Sequence, residues 1–121
     1  MGHKPDLIAI AQDVVASTLD ALPATIARQV AQVSVFVESL PNAEDRSLGV
    51  GEDWLGIFEG ASYSHGDLPD PPRIRIWVEN LWSFAGGRET YFREEVRITL
   101  LHEIGHYLGL DEEQVALRGL E

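Results

Sequence analysis

HEIGHYLGLDE, residues 102–112, completes the longest helical pattern in this 121-residue chain. Helix-forming residues begin near Glu89, and large apolar residues then recur every three or four positions. These residues are Phe92, Val96, Leu100, Leu101, Ile104 and Leu108. Gly109 follows them, and glycine readily adopts the positive φ angle that ends a helix. We therefore predict a long helix from about Glu89 to Leu108 with one buried side.

Two histidines and a glutamate of this helix follow the pattern HExxH. His102 and His106 are four residues apart, so their Cβ atoms lie about 5–6 Å apart on one helix face. Both imidazoles can then bind a single ion, at zinc–nitrogen distances of about 2.0–2.1 Å. Glu103 points beside such an ion, where its carboxylate can accept a proton from water. The motif predicts one Zn2+ ion bound by the two histidines, with Glu103 as the catalytic base.

A catalytic zinc ion takes three protein ligands and keeps its fourth position for water. Carboxylates follow the helix at once, at Asp111, Glu112 and Glu113, and a difference of one residue in the turn decides which of them faces the ion. Asp111 also suits the N-cap of a short last helix, over about 112–120. We predict Glu112, six residues after His106, as the third ligand.

The rest of the chain predicts two helices followed by three strands. Apolar residues at helical spacing favour a first helix over about 6–22, capped by its initial aspartate, and a short second helix over about 23–31. Alternating apolar and polar residues favour strands over about 33–37 and 73–78, and a short apolar run closed by glycine favours another over 54–60. Helices therefore flank the predicted strands on both sides in the sequence.

The segments between these elements are predicted to be loops. Residues 62–72 contain three prolines, which suits an irregular surface connection. Trp82 and Phe84 fall in the loop before the long helix, where they either line a cleft or cover the core. Arg73 and Arg75 lie on the strand face opposite its isoleucines, and we expect both of them to be solvated.

The composition restricts the partners of the protein. A chain of this length suits one domain, which we expect to span residues 1–121. The formal net charge of −11 repels nucleic acids and anionic membranes. The absence of cysteine excludes disulfides and thiolate ligands. Asp6 and Asp13 bracket the first apolar stretch and no later segment is long enough to span a bilayer, so we expect a cytoplasmic protein.

The segment HEIGHYLGLDE resembles the extended signature HExxHxxGxx(H/D/E) of short-spacer zincins. The whole chain is similar to the minimal zincin-like metallopeptidases, a family of short bacterial proteins, also in WLGIFEG (54–60), the strand 72–78 and the opening helix. The resemblance implies an α+β fold, in which a small mixed β-sheet packs with N-terminal helices and a long active-site helix. It also implies a zinc peptidase site whose third ligand is the residue three after the glycine, Glu112.

Two features depart from related families. The only methionine is Met1, so the Met-turn of the metzincins is missing. Many relatives carry Asp or His where this chain has Glu112, whose extra methylene changes the reach of the ligand.

The leading hypothesis is a zinc-dependent peptidase that binds an extended peptide or protein substrate against a sheet edge by strand addition. The alternative is a non-catalytic zinc-binding module that regulates or scaffolds a partner, since the chain offers little room for deep subsites. RNA hydrolysis is disfavoured by the acidic balance. Tyr63, His65 and Tyr107 are candidate donors to the oxyanion of a tetrahedral intermediate. We expect Tyr107 to turn away, because it directly follows a ligand on the helix.

Overall fold

The computed structural model describes residues 4–65, 70–111 and 113–114. Within them the chain forms five α-helices and three β-strands. In chain order these are α1 (Leu7–Asp20), α2 (Ala24–Gln29), β1 (Ser34–Glu38), α3 (Ala43–Ser47), β2 (Gly56–Glu59), β3 (Arg73–Trp77), α4 (Val78–Phe84) and α5 (Glu89–Tyr107). The α+β fold class is confirmed. Of the predicted last helix, only residues 113 and 114 belong to the described part. Among the described residues, no helix is long and apolar enough to cross a membrane.

The two opening helices begin and end for local reasons. The Asp6 carboxylate accepts a hydrogen bond from the backbone N–H of Ala9 at 3.1 Å, which caps α1 as predicted. α1 ends at Asp20, and Pro23 immediately precedes α2. Proline suits the start of a helix because its missing N–H would have no partner there. Both predicted helices are confirmed, each slightly shorter than expected.

The three strands form one mixed sheet in the order β1-β3-β2. β1 runs parallel to β3, and β2 runs antiparallel to it. Ile74 and Ile76 of the central strand are completely buried on the same face. The predicted small mixed sheet is confirmed, and β2 lies at one of its edges.

The main core lies between this sheet face and the helices α1 and α5. α5 contributes four residues, spaced four apart and at most 1% exposed: Phe92, Val96, Leu100 and Ile104. Such spacing places them on one helix side. The buried side predicted for the long helix is confirmed. His102 and His106 are more exposed and lie outside it, whereas Glu103 is itself buried.

The other sheet face carries a cluster of charges. Two nitrogens of Arg75 each lie 2.7 Å from an oxygen of Asp45, and Glu38 binds the same guanidinium at 2.8 Å. Hydrogen bonds from Arg75 lower the pKa of Asp45 to about 2. Only 11% of the Arg75 side chain is exposed, so its predicted solvation is wrong. Arg73 is more exposed and pairs with Glu59 at 3.1 Å.

Two helices occupy segments that were predicted as loop or strand. In α3 the Asn42 side chain accepts from the Asp45 N–H, and the Asp45 carboxylate accepts from the Asn42 N–H. This capping box stabilises a helix that is too short to show an apolar period. Val78 begins α4 instead of ending a strand, and α4 also contains Trp82 and Phe84. The Trp82 ring packs on the core, whereas Phe84 is 65% exposed.

Candidate metal centre

The last two turns of α5 bring two histidine rings together on one side of the helix. The ring centroids of His102 and His106 are 4.4 Å apart, and the ring planes are inclined by 70°. His102 is partly buried, and half of the His106 side chain is exposed. Two nitrogen donors therefore lie side by side where an ion from solvent can reach them.

Glu103 contacts one of these rings. Its side chain is only 10% exposed, and its Oε1 atom lies 3.0 Å from Nδ1 of His106. When Nδ1 carries the proton, the imidazole donates to the carboxylate and its Nε2 atom is free to bind a metal. The structure thus joins two of the three predicted HExxH residues by a hydrogen bond.

The helix ends at Tyr107, directly after His106. Gly109 has a φ angle of 73°, its N–H donates to the His106 carbonyl at 3.0 Å, and the Leu110 N–H donates to the Gly105 carbonyl at 2.9 Å. This pair of bonds is the Schellman arrangement, which requires a left-handed residue at the glycine position. The predicted role of Gly109 as the residue that ends the helix with a positive φ angle is confirmed.

The acidic residues after this turn differ in their contacts. The Asp111 carboxylate accepts from the Gln114 N–H at 2.8 Å, and the Gln114 side chain accepts from the Asp111 N–H at 2.9 Å. Asp111 therefore has the capping role expected of it. Within residues 4–65, 70–111 and 113–114, no three His, Asp or Glu side chains are grouped so that they could hold one ion. Glu112, the predicted third ligand, lies outside the described residues.

A glycine lets the motif helix approach the edge strand closely. A Cβ atom on Gly56 of β2 would lie 2.9 Å from Cγ2 of Thr99 on α5 and 3.0 Å from the carbonyl oxygen of Arg75. Thr99 lies one turn before His102 and Glu103, on their side of the helix. Gly56 therefore sets how near these two side chains come to β2. The sequence signal for this contact was a glycine inside an apolar run.

A cleft of about 490 Å³ opens beside this contact. Its lining comes from the segment before β2, from β2 itself, from the end of α4 and from α5: Asp53, Trp54, Leu55, Gly56, Phe84, Glu95, Ile98, Thr99, His102 and Glu103. Two HExxH residues thus form part of the wall of a cleft that lies beside the start of the edge strand. The sequence left a cleft position and a core position open for Trp82 and Phe84. Phe84 lines the cleft, and Trp82 packs on the core.

The sequence comparisons identify the family of the chain. The family model of the zincin-like metallopeptidases matches residues 30–120. The chain belongs to this family. The match includes the whole sheet and the HExxH helix, and it leaves only α1 and α2 before it. The zincin-like resemblance is confirmed, and the family indicates a peptidase. No curated protein matches the sequence.

The tyrosines of this zincin-like chain lie apart from the cleft. Tyr107 is buried, and its ring makes edge contacts with Phe58 and Tyr63 at centroid distances of 5.6 and 6.0 Å. Burial raises the pKa of the Tyr107 phenol, and the neighbouring Tyr63 adds to the shift. Tyr107 thus turns away from the histidines, as expected. The side chain of His65 lies outside the described part of the structure.

One residue of the site escaped the sequence analysis. The Asn80 amide donates hydrogen bonds to the backbone oxygens of Glu52 and Trp54, both at 2.8 Å. A Cβ atom on Gly51 would overlap the Trp54 indole, so this ring packs directly on the glycine. Asn80 therefore holds the cleft wall to α4. A single asparagine carries no spacing pattern from which this role could be predicted.

Proposed function

We propose that the protein is a zinc-dependent peptidase in which His102, His106 and Glu112 bind the ion and Glu103 is the general base. One observation carries this proposal: His102 and Glu103 line a cleft beside an edge strand, and Glu103 also contacts the second histidine. Two histidines that can bind a metal, a carboxylate and a binding surface for an extended chain are thus combined in one place. The zincin-like family indicates the same reaction class.

The donor set suits zinc. Two imidazoles with a carboxylate are a common ligand set of catalytic zinc, and the absence of cysteine leaves only such donors in this chain. The capping role of Asp111 supports Glu112 as the third ligand, because it engages the neighbouring competitor. When bound, zinc supplies Lewis acidity, which makes water acidic enough to be deprotonated near neutral pH and polarises a peptide carbonyl.

Glu103 has the surroundings that a proton carrier requires. Its carboxylate lines the cleft and is nearly buried, so it can meet a water molecule there without full exposure to solvent. In the proposed reaction it accepts the proton of the attacking water and delivers that proton to the leaving amine. The His106 contact holds the carboxylate on the side of the helix where this transfer takes place.

The edge strand provides the surface for the substrate backbone. In the described residues β2 pairs with β3 on one side only, so its other side presents unpaired N–H and C=O groups. An extended peptide can add to this edge by backbone hydrogen bonds. Leu55 and Gly56 line the cleft together with His102, so an added strand passes the metal-binding pair.

The test combines metal analysis with peptide digestion. Purified protein should contain about one zinc ion per chain, as expected of a single site, and His106→Ala should lose it. Glu103→Gln should keep the zinc and lose hydrolysis of a mixed peptide library. Glu44→Gln on α3, an exposed substitution outside the cleft, is the matched control and should behave as wild type.

Two results would decide against the proposal. If wild type and Glu103→Gln hold zinc and neither of them cleaves any peptide, the protein is a non-catalytic zinc-binding module. If Glu112→Ala binds zinc as tightly as wild type, the third ligand is another residue. The cytoplasmic location and the single domain stay predictions.

A further inference from the structure

Three large apolar side chains in the cleft are exposed to solvent. Trp54 is 43% exposed, Phe84 65% and Ile98 41%. They come from the segment before β2, from the end of α4 and from α5, yet all three line the same cleft. Large apolar groups that converge on one cleft indicate a binding surface, whereas isolated exposed ones need no explanation.

Two carboxylates share this cleft with the apolar groups. Asp53 and Glu95 both line it, and neither has an ion-pair partner among the described residues. The carboxylates on the outer sheet face differ, since Glu38, Asp45 and Glu59 all pair with arginine. The cleft therefore offers negative charge that the protein itself does not neutralise in its described part.

The helix geometry fixes the distance from Glu95 to the histidine His102. Glu95, Ile98 and His102 lie on one side of α5, at intervals of three and four residues. A rise of 1.5 Å per residue places Glu95 about 10 Å from His102 along the helix axis. An extended peptide advances about 3.3 Å per residue, so a side chain near Glu95 belongs to a residue about three positions from the scissile bond.

We propose that this part of the cleft is a specificity subsite for a lysine or arginine side chain of the substrate. Both side chains combine a long apolar stem with a cationic end. The stem packs on Trp54, Phe84 and Ile98, while the cation reaches Asp53 and Glu95 and lies near the aromatic rings. The inference rests on the proposed peptidase function for its place beside the scissile bond.

The two carboxylates favour a cationic occupant over an apolar one. A leucine or phenylalanine side chain in the same place would remove water from Asp53 and Glu95 without providing a partner, which is unfavourable for a charged group. The formal net charge of −11 also attracts basic peptides toward the protein from a distance.

The test compares peptides that differ in a single side chain. Fluorescent peptides of one sequence carry lysine, norleucine or phenylalanine at each of the three positions on either side of the central bond. Norleucine has the lysine stem without the ammonium group. Binding is measured by fluorescence polarisation with zinc-loaded Glu103→Gln, so this measurement needs no cleavage. We expect the lysine peptide to bind about tenfold more tightly than the norleucine peptide at one position.

Matched double variants separate the subsite from general charge. Asp53→Asn/Glu95→Gln should abolish the preference for lysine, whereas Asp20→Asn/Glu44→Gln removes the same charge from exposed residues outside the cleft and should keep it. Trp54→Ala should weaken binding of the lysine and norleucine peptides alike, because both stems pack on the indole.

The possible outcomes distinguish the two proposals. Equal or tighter binding of norleucine or phenylalanine at every position overturns the subsite, even if wild type cleaves peptides. Equal loss of the lysine preference in both double variants also overturns it. If lysine is preferred through Asp53 and Glu95 but wild type cleaves nothing, the subsite stands and the peptidase proposal fails.

Discussion

Nδ1 of His106 lies 3.0 Å from Oε1 of Glu103. The two residues are three positions apart on α5, a spacing that brings side chains of adjacent turns together. The carboxylate can therefore orient the imidazole of a proposed ligand as well as act as the base. A partner on one ring nitrogen selects the tautomer that leaves the other nitrogen free for the metal.

This contact predicts different zinc affinities for two variants of Glu103. Glu103→Ala removes the acceptor for Nδ1 and should weaken zinc binding about 10–100-fold, as expected when a group that orients a ligand is lost. Glu103→Gln retains an acceptor oxygen and should bind zinc nearly as tightly as wild type. Competition with a zinc chelator measures both affinities. Equal affinities in the alanine variant and wild type would contradict the orienting role.

The ion pair between Arg75 and Asp45 predicts a loss of stability in acid. The folded-state pKa of Asp45, about 2, lies below its ordinary value of 3.8. The carboxylate therefore stabilises the fold fully above pH 4, and this stabilisation is lost as the pH falls from about 4 toward 2. Urea unfolding of wild type and Asp45→Asn across this range should give free energies that converge at low pH.

At neutral pH the Asp45→Asn substitution should cost about 2 kcal/mol, the range expected for hydrogen bonds to a buried charged group. Glu94→Gln is the matched control, because it also removes an acidic partner of an arginine, at an exposed helical pair. Its cost should be below about 0.5 kcal/mol. If both variants lose the same free energy of unfolding, burial does not strengthen the ion pair between Asp45 and Arg75.

Long patterns in the sequence predicted the main elements, and short ones were missed. α5 has four buried residues at intervals of four, so its apolar period is unambiguous. α3 has only five residues and depends on the reciprocal bonds of Asn42 and Asp45, which no apolar period reveals. α4 follows β3 without a break, so Val78 extended the apparent alternation of the strand by one residue.

The HExxH residues were predictable because their spacing along one helix determines their geometry. The cleft was not predictable, since it depends on tertiary contacts. Asp53, Phe84 and Glu95 are far apart in sequence and meet only because β2, α4 and α5 pack together. The burial of Arg75 also depends on a tertiary contact, so it was not predicted. A strand pattern does not reveal that a contact with Asp45 buries the side chain.

The close contact between Gly56 and Thr99 predicts that a side chain at position 56 destabilises the fold, and that a smaller residue at position 99 relieves this effect. Gly56→Ala places a Cβ atom 2.9 Å from the Thr99 methyl group and 3.0 Å from a backbone oxygen, so α5 must move away from β2. Such overpacking should cost about 1–3 kcal/mol of unfolding free energy. Thr99→Ser removes this methyl group and should restore part of the stability in the double variant. Thermal unfolding of the two single variants and the double variant measures the coupling. Purely additive costs would contradict the proposed contact.

Asn80 predicts a local loosening of the cleft wall. Asn80→Asp replaces the amide donor with a carboxylate that faces the backbone oxygens of Glu52 and Trp54. Both hydrogen bonds are lost, at a cost of about 1–3 kcal/mol, and the amides of residues 51–55 should exchange hydrogen faster. Ser83→Ala, an exposed change on the same helix, should leave this exchange unchanged. Unchanged hydrogen exchange of these amides in Asn80→Asp would show that Asn80 does not hold the cleft wall to α4.

The position of Tyr107 predicts that removal of its phenol oxygen leaves catalysis unchanged. Its ring is buried against Phe58 and Tyr63, away from the cleft that contains His102 and Glu103. Tyr107→Phe keeps both ring contacts and removes only the phenol oxygen. Because that oxygen has no part in the proposed reaction, kcat and KM for a cleaved peptide should match those of wild type. Loss of an oxyanion donor would instead lower kcat by about 100–1,000-fold. A loss of that size with unchanged thermal stability would place the phenol at the reacting carbonyl and require the helix end to rearrange when substrate binds.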